Sequence, residues 1–383
     1  MLVGAWSHDV FYRTCPVVTG RLAPFMPVSS ERSVMFHRMF GIIFAATFAI
    51  AVLSTTALPA EPYWVFFSGD SGRRAGDAVD PAAIGRVAAS GAAIRTVSRY
   101  FNAVSVDFEG DPAFLARIGG VTSVSPVRAL GKRMPETASS APEVWKPSAV
   151  ADTTRGYGLL YDELAMLGIP EVHARGYDGR GVLVGVLDSG FSGLDTTPCL
   201  ASAKVIARRN FITGGEELST GNHGTMVLAC LAGDRPGEYR GAAPGASYIL
   251  AATDEEKKET RADEDRWVAA VEWCDSLGAD IISSSLVYNE FDTVRESYTK
   301  DQMDGRTSLV AKAAEIAVAR GIVVVNAVGN EGNLPWRIVT TPGDAEHVIS
   351  VGAVMMTEPP VIAAFSSRGP TADGRIKPDV VSP

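Results

Sequence analysis

Residues 182–191 read VLVGVLDSGF, and this stretch decides the fold. The six apolar residues at its start are typical of a strand that is buried on both faces, as strands of a parallel sheet are. Helical patterns separate this strand from further strands downstream. The predicted strands lie at 182–187, 246–252, 280–286, 322–326 and 347–354, and the predicted helices at 161–175, 223–233, 263–277 and 307–320. This alternation predicts an α/β fold with a parallel sheet, in which functional residues follow the carboxyl ends of the strands.

Three polar residues stand at such positions. Asp188 follows the strand VLVGVL directly, and His223 opens the helical run GNHGTMVLACLAG between two glycines. Asn330 lies in NAVGNEGN, just after the strand IVVVN, where its amide is placed to donate to a developing oxyanion. Each has a simpler interpretation on its own: a capping aspartate, a structural histidine, a turn asparagine. Their joint occurrence favours chemistry at one edge of the sheet.

The composition excludes several kinds of protein. The 383 residues carry a net charge of −9 with a pI near 5.2, which opposes nucleic-acid binding because that function favours a basic surface. The four cysteines include no C-x-x-C pair, so a zinc site or a redox motif is not expected. We expect Cys230 and Cys274, which lie in apolar helical patterns, to be small buried residues. One disulfide and no disulfide both stay open.

The chain begins with a segment typical of export. Residues 35–60 contain a short basic start at His37 and Arg38, an apolar run and then small residues that lead to Ala60, which together predict a signal peptide. A membrane anchor is the alternative, although the run is short for a span. We expect a secreted or periplasmic protein without a stable membrane span after cleavage. Residues 1–34 lack periodicity and are interpreted as a mis-assigned leader, with an unusually long leader as the alternative.

A small α+β unit is predicted at 61–131. It has strands at 63–67 (YWVFF), within 94–108 and at 121–127, and a helix at 111–119. Residues 132–156 are rich in Pro, Ser, Ala and Thr and are predicted to be a linker that is accessible to proteolysis. The parallel-sheet domain then occupies 157–383.

The segments DSG, HGT and GNEG, together with FSSRGPTADGRIKPDVV at 365–381, resemble the subtilisin-like serine peptidases in kind and order. The resemblance covers about 158–383 and implies a secreted endopeptidase that acts on protein or peptide substrates. It implies that Asp188 orients the histidine, that His223 is the general base and then acid, and that Asn330 stabilises the oxyanion. The unit at 61–131 resembles the propeptides of exported bacterial members, which implies an intramolecular inhibitor and folding chaperone.

The sequence departs from the family pattern at several points. The family's nucleophile lies in a GTS-x-A-x-P segment, and the 383 residues contain none. We therefore expect a domain that is incomplete at its C-terminus and inactive as given. The alternative is a non-catalytic subtilase-like fragment or a peptide-binding relative. A dinucleotide-binding enzyme is excluded, because no phosphate-cradling G-x-G-x-x-G follows any strand.

The predicted substrate-binding edge also departs from the pattern. The resemblance assigns substrate binding to Ser285, Leu286 and Val287, together with Ala327 and Gly329. Val287 replaces the family's glycine, and we expect its β-branched side chain to crowd the substrate backbone. Met226 stands where many members have a second histidine, which is not catalytic. No cofactor is certain; calcium is common in the family, but the sequence shows no ligand set for it.

Overall fold

The protein is described from a computed structural model, which describes residues 60–69, 78–127, 156–255, 258–292 and 296–383. The predicted leader, and all but one residue of the predicted signal peptide and of the predicted linker, lie outside these ranges. Among the described residues, no helix is both long enough and apolar enough to cross a bilayer.

The N-terminal unit, defined here as residues 61–127, is an antiparallel sheet with two short helices. Its elements are β1 (Glu61–Phe67), α1 (Pro81–Ala88), β2 (Ala93–Ser98), β3 (Ala103–Phe108), α2 (Pro112–Leu115) and β4 (Val121–Pro126). The strand order is β2-β3-β1-β4. Helix α1 was not predicted, because it buries only Ala83 and Val87 and contains Gly85, which weakens the helical pattern. Helix α2 is shorter than the helix predicted at 111–119, since two glycines follow it before β4 begins.

The C-terminal domain is built on an eight-stranded sheet with helices on both faces. Its strands are β5 (Leu183–Asp188), β6 (Lys204–Asn210), β9 (Ser247–Ala252), β10 (Ile281–Ser284), β11 (Val323–Ala327), β12 (Ile349–Met355), β13 (Val361–Ile362) and β14 (Val380–Ser382), and a separate hairpin is formed by β7 (Asp234–Arg235) and β8 (Tyr239–Arg240). The order is β13-β12-β11-β10-β5-β9-β6, with β14 paired to β12. All pairs except β12–β13 are parallel. The predicted α/β fold is therefore confirmed.

Strand β6 is the one long strand of this sheet that the sequence reading missed. It lies at the edge of the sheet, where its residues KVIARRN alternate between exposed and partly buried positions. The strands of this domain were predicted from continuous apolar runs, which are typical of strands in the interior of a sheet. An edge strand with three basic residues lacks that signal.

The helices of the domain form two layers. They are α3 (Tyr161–Met166), α4 (Ile169–Ala174), α5 (His223–Ala232), α6 (Arg261–Ser276) and α7 (Leu309–Ala319). The single helix predicted at 161–175 is two helices, because Gly168 adopts φ = 70°, a left-handed conformation that ends the first one. Helices α6 and α7 share one apolar core, in which Trp267, Val271 and Cys274 are fully buried. Helix α5 belongs to a second core on the other face of the sheet.

The N-terminal unit packs on the layer formed by α6 and α7. Strand β2 contacts α6, and Trp64 of β1 lies in a small apolar cluster with Phe101, Val127 and Leu309 of α7. The unit thus covers the outer surface of two helices that support the central strands of the sheet.

Candidate active site

Asp188 is the last residue of β5, a strand near the centre of the sheet. Its side chain is fully buried. The Oδ1 atom accepts a hydrogen bond of 2.8 Å from the backbone N–H of Ser189 and lies 2.8 Å from Nδ1 of His223. The Oδ2 atom is also buried and has no hydrogen-bond partner among the described residues. The carboxylate is therefore held in one orientation, with one oxygen directed at the imidazole.

His223 is the first residue of α5, and Gly224 explains how the helix approaches Asp188 so closely. The amide of Gly224 donates to the carbonyl of Gly190 at 2.9 Å. A Cβ at position 224 would lie 2.6 Å from that carbonyl oxygen and 2.9 Å from Cβ of Asp188, so any larger residue would push the helix away. The imidazole is 42% exposed, whereas Asp188 is fully buried. The pair therefore has one buried end and one end that faces the surface.

This geometry suits a general base. A neutral imidazole whose Nδ1–H points at a carboxylate has Nε2 as its basic nitrogen. A buried carboxylate at 2.8 Å from Nδ1 fixes that tautomer and stabilises the imidazolium that forms after proton uptake. The chemistry therefore requires only a hydroxyl and a carbonyl to be presented on the exposed side of the ring.

Asn330 is exposed in the turn that follows β11, and the FSSRG run braces this turn. The amide of Ser367 donates to the carbonyl of Gly329 at 2.9 Å, and its Oγ accepts from the amide of Glu331 at 3.0 Å. Ser367 thus fixes the peptide units on both sides of Asn330. Gly329 adopts φ = 100°, and a Cβ there would lie 2.7 Å from Oγ1 of Thr340. These hydrogen bonds give the FSSRG run a structural role in the turn that carries Asn330.

A cavity of about 70 Å³ brings most of the predicted site residues together. Its lining includes the predicted residues His223, Ser285, Val287, Ala327, Gly329 and Asn330. Leu286 does not line the cavity; its carbonyl accepts a hydrogen bond of 2.9 Å from Nδ2 of Asn326. A larger cavity of about 470 Å³ lies beside β6, but neither member of the aspartate–histidine pair lines it.

The sequence reading missed one wall of the cavity. This wall consists of Val351, Gly352 and Ala353 from β12, and Ser284 from β10 also contributes. Val351 is there because it pairs with Ala327 in the parallel register of β11 and β12. The strand pattern at 347–354 identified β12, but its register against β11 depends on long-range packing. A local pattern does not contain that information.

Several carboxyl groups lie near the same edge of the sheet. Asp254 follows β9 and accepts hydrogen bonds from Oγ1 of Thr253 at 2.7 Å and from the hydroxyl of Tyr288 at 3.0 Å; burial raises its pKa. Burial, with a further contribution from Asp292, raises the pKa of Glu259 to about 6. The hydrogen bond from its hydroxyl to Asp254 holds the Tyr288 side chain in place. Tyr288 is adjacent to Val287 of the predicted substrate-binding edge.

No calcium ligand set can be assigned. Among the ranges that the structure describes, no three His, Cys, Asp or Glu side chains converge closely enough to hold one metal ion. We therefore name no residue of the described ranges as a ligand for the calcium ion that the family resemblance allows.

The geometry indicates a class of protein. A buried aspartate lies 2.8 Å from a histidine at the carboxyl edge of a parallel sheet, beside a cavity that Asn330 lines. Hydrolases with an acid–base–nucleophile triad contain an aspartate–histidine pair of this kind. The family assignment follows from sequence comparison: a family model described as "Subtilase family" matches residues 179–383. The chain belongs to the subtilase family of serine peptidases.

Individual relatives agree with this assignment. The chain is 33% identical over 222 residues to serine protease AprX of Bacillus subtilis, covering 54% of this chain and 46% of the relative. It is 32% identical over 203 residues to subtilisin DY of Bacillus licheniformis, covering 52% of this chain and 65% of the relative. The chain therefore spans less than two thirds of the length of either relative.

Structural comparison supports the fold. The crystal structure of fervidolysin from Fervidobacterium pennivorans, described as a keratinolytic enzyme related to subtilisin, aligns with a TM-score of 0.51 at 19% identity. The alignment covers 86% of this chain and 48% of fervidolysin. At this identity the likeness concerns the fold alone.

Proposed function

We propose that the protein is a serine endopeptidase that hydrolyses peptide bonds of protein or peptide substrates through an Asp–His–Ser triad. The observation that carries this proposal is the distance of 2.8 Å between Oδ1 of Asp188 and Nδ1 of His223, beside a cavity that Asn330 also lines. Asp188, His223 and Asn330 take the roles of orienting group, general base and oxyanion donor. Ser285, Val287, Ala327 and Gly329 are the proposed contacts with the substrate backbone.

The reaction follows from these positions. The serine Oγ attacks the scissile carbonyl carbon while Nε2 of His223 takes the hydroxyl proton, and the carbonyl electron pair moves to the oxygen. The Asn330 amide donates to that oxyanion. The imidazolium then protonates the amine as the C–N bond breaks, which leaves an acyl-enzyme. Water repeats the sequence, releasing the acid and restoring the serine hydroxyl.

The nucleophile is not assigned to any of the 383 residues, which contain no GTS-x-A-x-P segment. We propose that the nucleophile is the serine of a GTS-x-A-x-P segment, as the family resemblance implies. A peptide-binding subtilase relative without catalysis is the second candidate.

The N-terminal unit is proposed to be the propeptide, acting as an intramolecular inhibitor and folding chaperone until the chain is cut in the segment 132–156. Its packing on α6 and α7 supports this role, because the contact buries side chains of both partners. The signal-peptide pattern at 35–60 supports export to the periplasm or the medium.

Hydrolysis by the natural gene product tests the proposal. We expect the processed product to cleave casein, and we expect His223→Ala to abolish cleavage while leaving folding intact. His347→Ala is the matched control, since His347 lies at the surface in a pair with Glu315. The 383-residue chain alone is expected to leave casein uncut. Undiminished cleavage by His223→Ala would sink the mechanism, and peptide binding without any cleavage would favour the second candidate.

A further inference from the structure

Two neighbouring strands of the sheet separate at the candidate site and form a fork. Strands β10 and β11 pair in parallel up to Ser284 and Asn326, which are the last pair of their ladder. Beyond this pair, Ser285 and Val287 line one wall of the cavity of about 70 Å³, and residues 327–330 line another. The ladder no longer joins the two chains there, so other contacts must set the gap between these walls.

Asn326 lies at the base of the fork and binds both chains. The residue is fully buried. Its Nδ2 donates to the carbonyl of Leu286 at 2.9 Å and to the carbonyl of Ala327 at 2.9 Å. A side-chain amide carries two N–H donors, so both bonds form at once. One nitrogen therefore holds a peptide oxygen of each chain just beyond the last pair of the ladder.

Each wall is otherwise fastened to its own surroundings. The Tyr288 amide donates to the carbonyl of Thr341 at 2.8 Å, and the Ser367 amide donates to the carbonyl of Gly329 at 2.9 Å. Among the described residues, no hydrogen bond joins residues 285–288 directly to residues 327–330. The side chain of Asn326 is therefore the link that spans the fork.

The second polar atom of Asn326 argues against a purely structural role. Its Oδ1 atom is buried and has no hydrogen-bond partner among the described residues. Turning the amide over would place this oxygen against two carbonyl oxygens, so the observed orientation is the favourable one. Native structures contain few buried polar atoms without a partner, and function is one reason for retaining them. The reason for an asparagine here therefore lies with the two carbonyls that its amide holds.

The bond to Leu286 also orients the peptide unit that follows it. The Leu286 amide donates to Oγ of Ser284 at 3.3 Å, so both backbone groups of Leu286 face the base of the fork. The peptide bond between Leu286 and Val287 is trans, and its N–H points opposite to its C=O, away from Asn326. No backbone carbonyl among the described residues accepts a hydrogen bond from the Val287 N–H. This donor is therefore available to a ligand.

We propose that Asn326 is a positioning residue for extended peptides that bind in the cavity. By holding the carbonyls of Leu286 and Ala327, it sets the gap between the two walls and directs the Val287 amide at a carbonyl of the peptide. Such a main-chain hydrogen bond is the way in which a strand edge binds an extended peptide. Asn326 does not line the cavity, so it acts through the two chains. The inference rests on the proposed function only in taking a peptide as the ligand.

Peptide affinity, measured apart from hydrolysis, tests the inference. The probe is a fluorescent tetrapeptide of alanine residues with capped ends, because small side chains suit a cavity of about 70 Å³. The parent is the natural gene product with His223→Ala, and the dissociation constant is measured by fluorescence anisotropy. Asn326→Ala on this parent removes both donors and should raise the dissociation constant about fivefold, the effect of one lost hydrogen bond.

Two further variants separate positioning from a general loss of stability. Ser350→Ala removes a fully buried hydroxyl from the register partner of Asn326 on β12, which does not line the cavity, and should leave the affinity unchanged. Asn326→Asp keeps the shape of the side chain without its amide donors. It replaces Asn326→Ala if that variant does not fold, and the same weakening is expected.

Kinetics of the protein with His223 intact give a second readout. Asn326→Ala should raise KM for the same peptide about fivefold and leave kcat unchanged, because the lost contact acts equally on the ground state and the transition state. A parent that binds the peptide, while the protein with His223 intact does not cleave it, would contradict the proposed function and leave the affinity test in force. Unchanged affinity in a folded Asn326 variant, an equal loss in Ser350→Ala, or no peptide binding by the parent overturns the inference.

Discussion

The carboxyl edge of the central sheet and the outer face of α6 both carry deeply buried aspartates, yet the two are satisfied in different ways. Asp188 takes its hydrogen bonds from Ser189 and His223, residues of its own domain. Asp265 takes them from Trp64, Ser105 and Arg95 of the N-terminal unit. The proposed catalytic pair is therefore organised by the domain itself, whereas the hydrogen bonds of Asp265 come from the N-terminal unit.

The substitution with the largest expected effect should change catalysis at the sheet edge and leave the docking of the N-terminal unit unchanged. His223→Ala should reduce turnover by about 10⁶, the magnitude found for subtilisin's own histidine. Docking of the N-terminal unit should stay unchanged, because the unit packs on α6 and α7 whereas His223 belongs to α5. Kinetics of the processed protein, and the dissociation constant of the N-terminal unit after cleavage of the chain between the two units, measure the two effects. A parallel loss of docking would show that the regions are not independent.

The next effect concerns the oxyanion. If Asn330 has the proposed role, Asn330→Ala should lower kcat by about 10²–10³ with little change in KM, which is the effect of removing the oxyanion asparagine of subtilisin. Asn333→Ala, an exposed asparagine in the same loop, is the matched control. A rise in KM with unchanged kcat would instead assign Asn330 to ground-state binding.

A smaller effect concerns the contact of Asp265 with the N-terminal unit. Arg95→Met removes the guanidinium that lies 2.9 Å from Asp265, and hydrogen bonds to charged groups are worth about 1.5–3 kcal/mol. We expect the dissociation constant of the N-terminal unit to rise by about 10- to 100-fold. Arg117→Met, at an exposed arginine of the same unit, should leave this constant unchanged, and an unchanged constant in Arg95→Met would contradict the contribution of the ion pair.

The smallest expected effect on kcat concerns the FSSRG run, which braces the turn after β11. Ser367→Ala removes the acceptor for the Glu331 amide and should loosen the turn that presents Asn330. A lost hydrogen bond of about 1 kcal/mol predicts a roughly fivefold fall in kcat, with KM retained. Ser350→Ala is the control, because it removes a buried hydroxyl that donates to Asp379, away from the turn. An equal fall in both variants would mean that Ser367 contributes only stability.

The sequence predicts features that depend on local patterns, and it does not predict features that depend on contacts between distant segments. Asp188 and His223 could be located because an apolar strand and a glycine-framed helix start are local patterns. The wall at 351–353, strand β6 and the packing of the N-terminal unit on α6 could not be predicted. The wall depends on the register of β11 against β12, and the packing of the N-terminal unit depends on contacts between distant segments, whereas β6 is an edge strand without a continuous apolar run. In the sequence, Asp265 is an ordinary charged residue of a predicted helix.

Labelling the natural gene product with a fluorophosphonate and mapping the modified residue tests the central claim most directly. The account predicts one labelled serine, in a GTS-x-A-x-P segment, and loss of the label in His223→Ala. No label on the folded product, or a label that persists unchanged in His223→Ala, would contradict it.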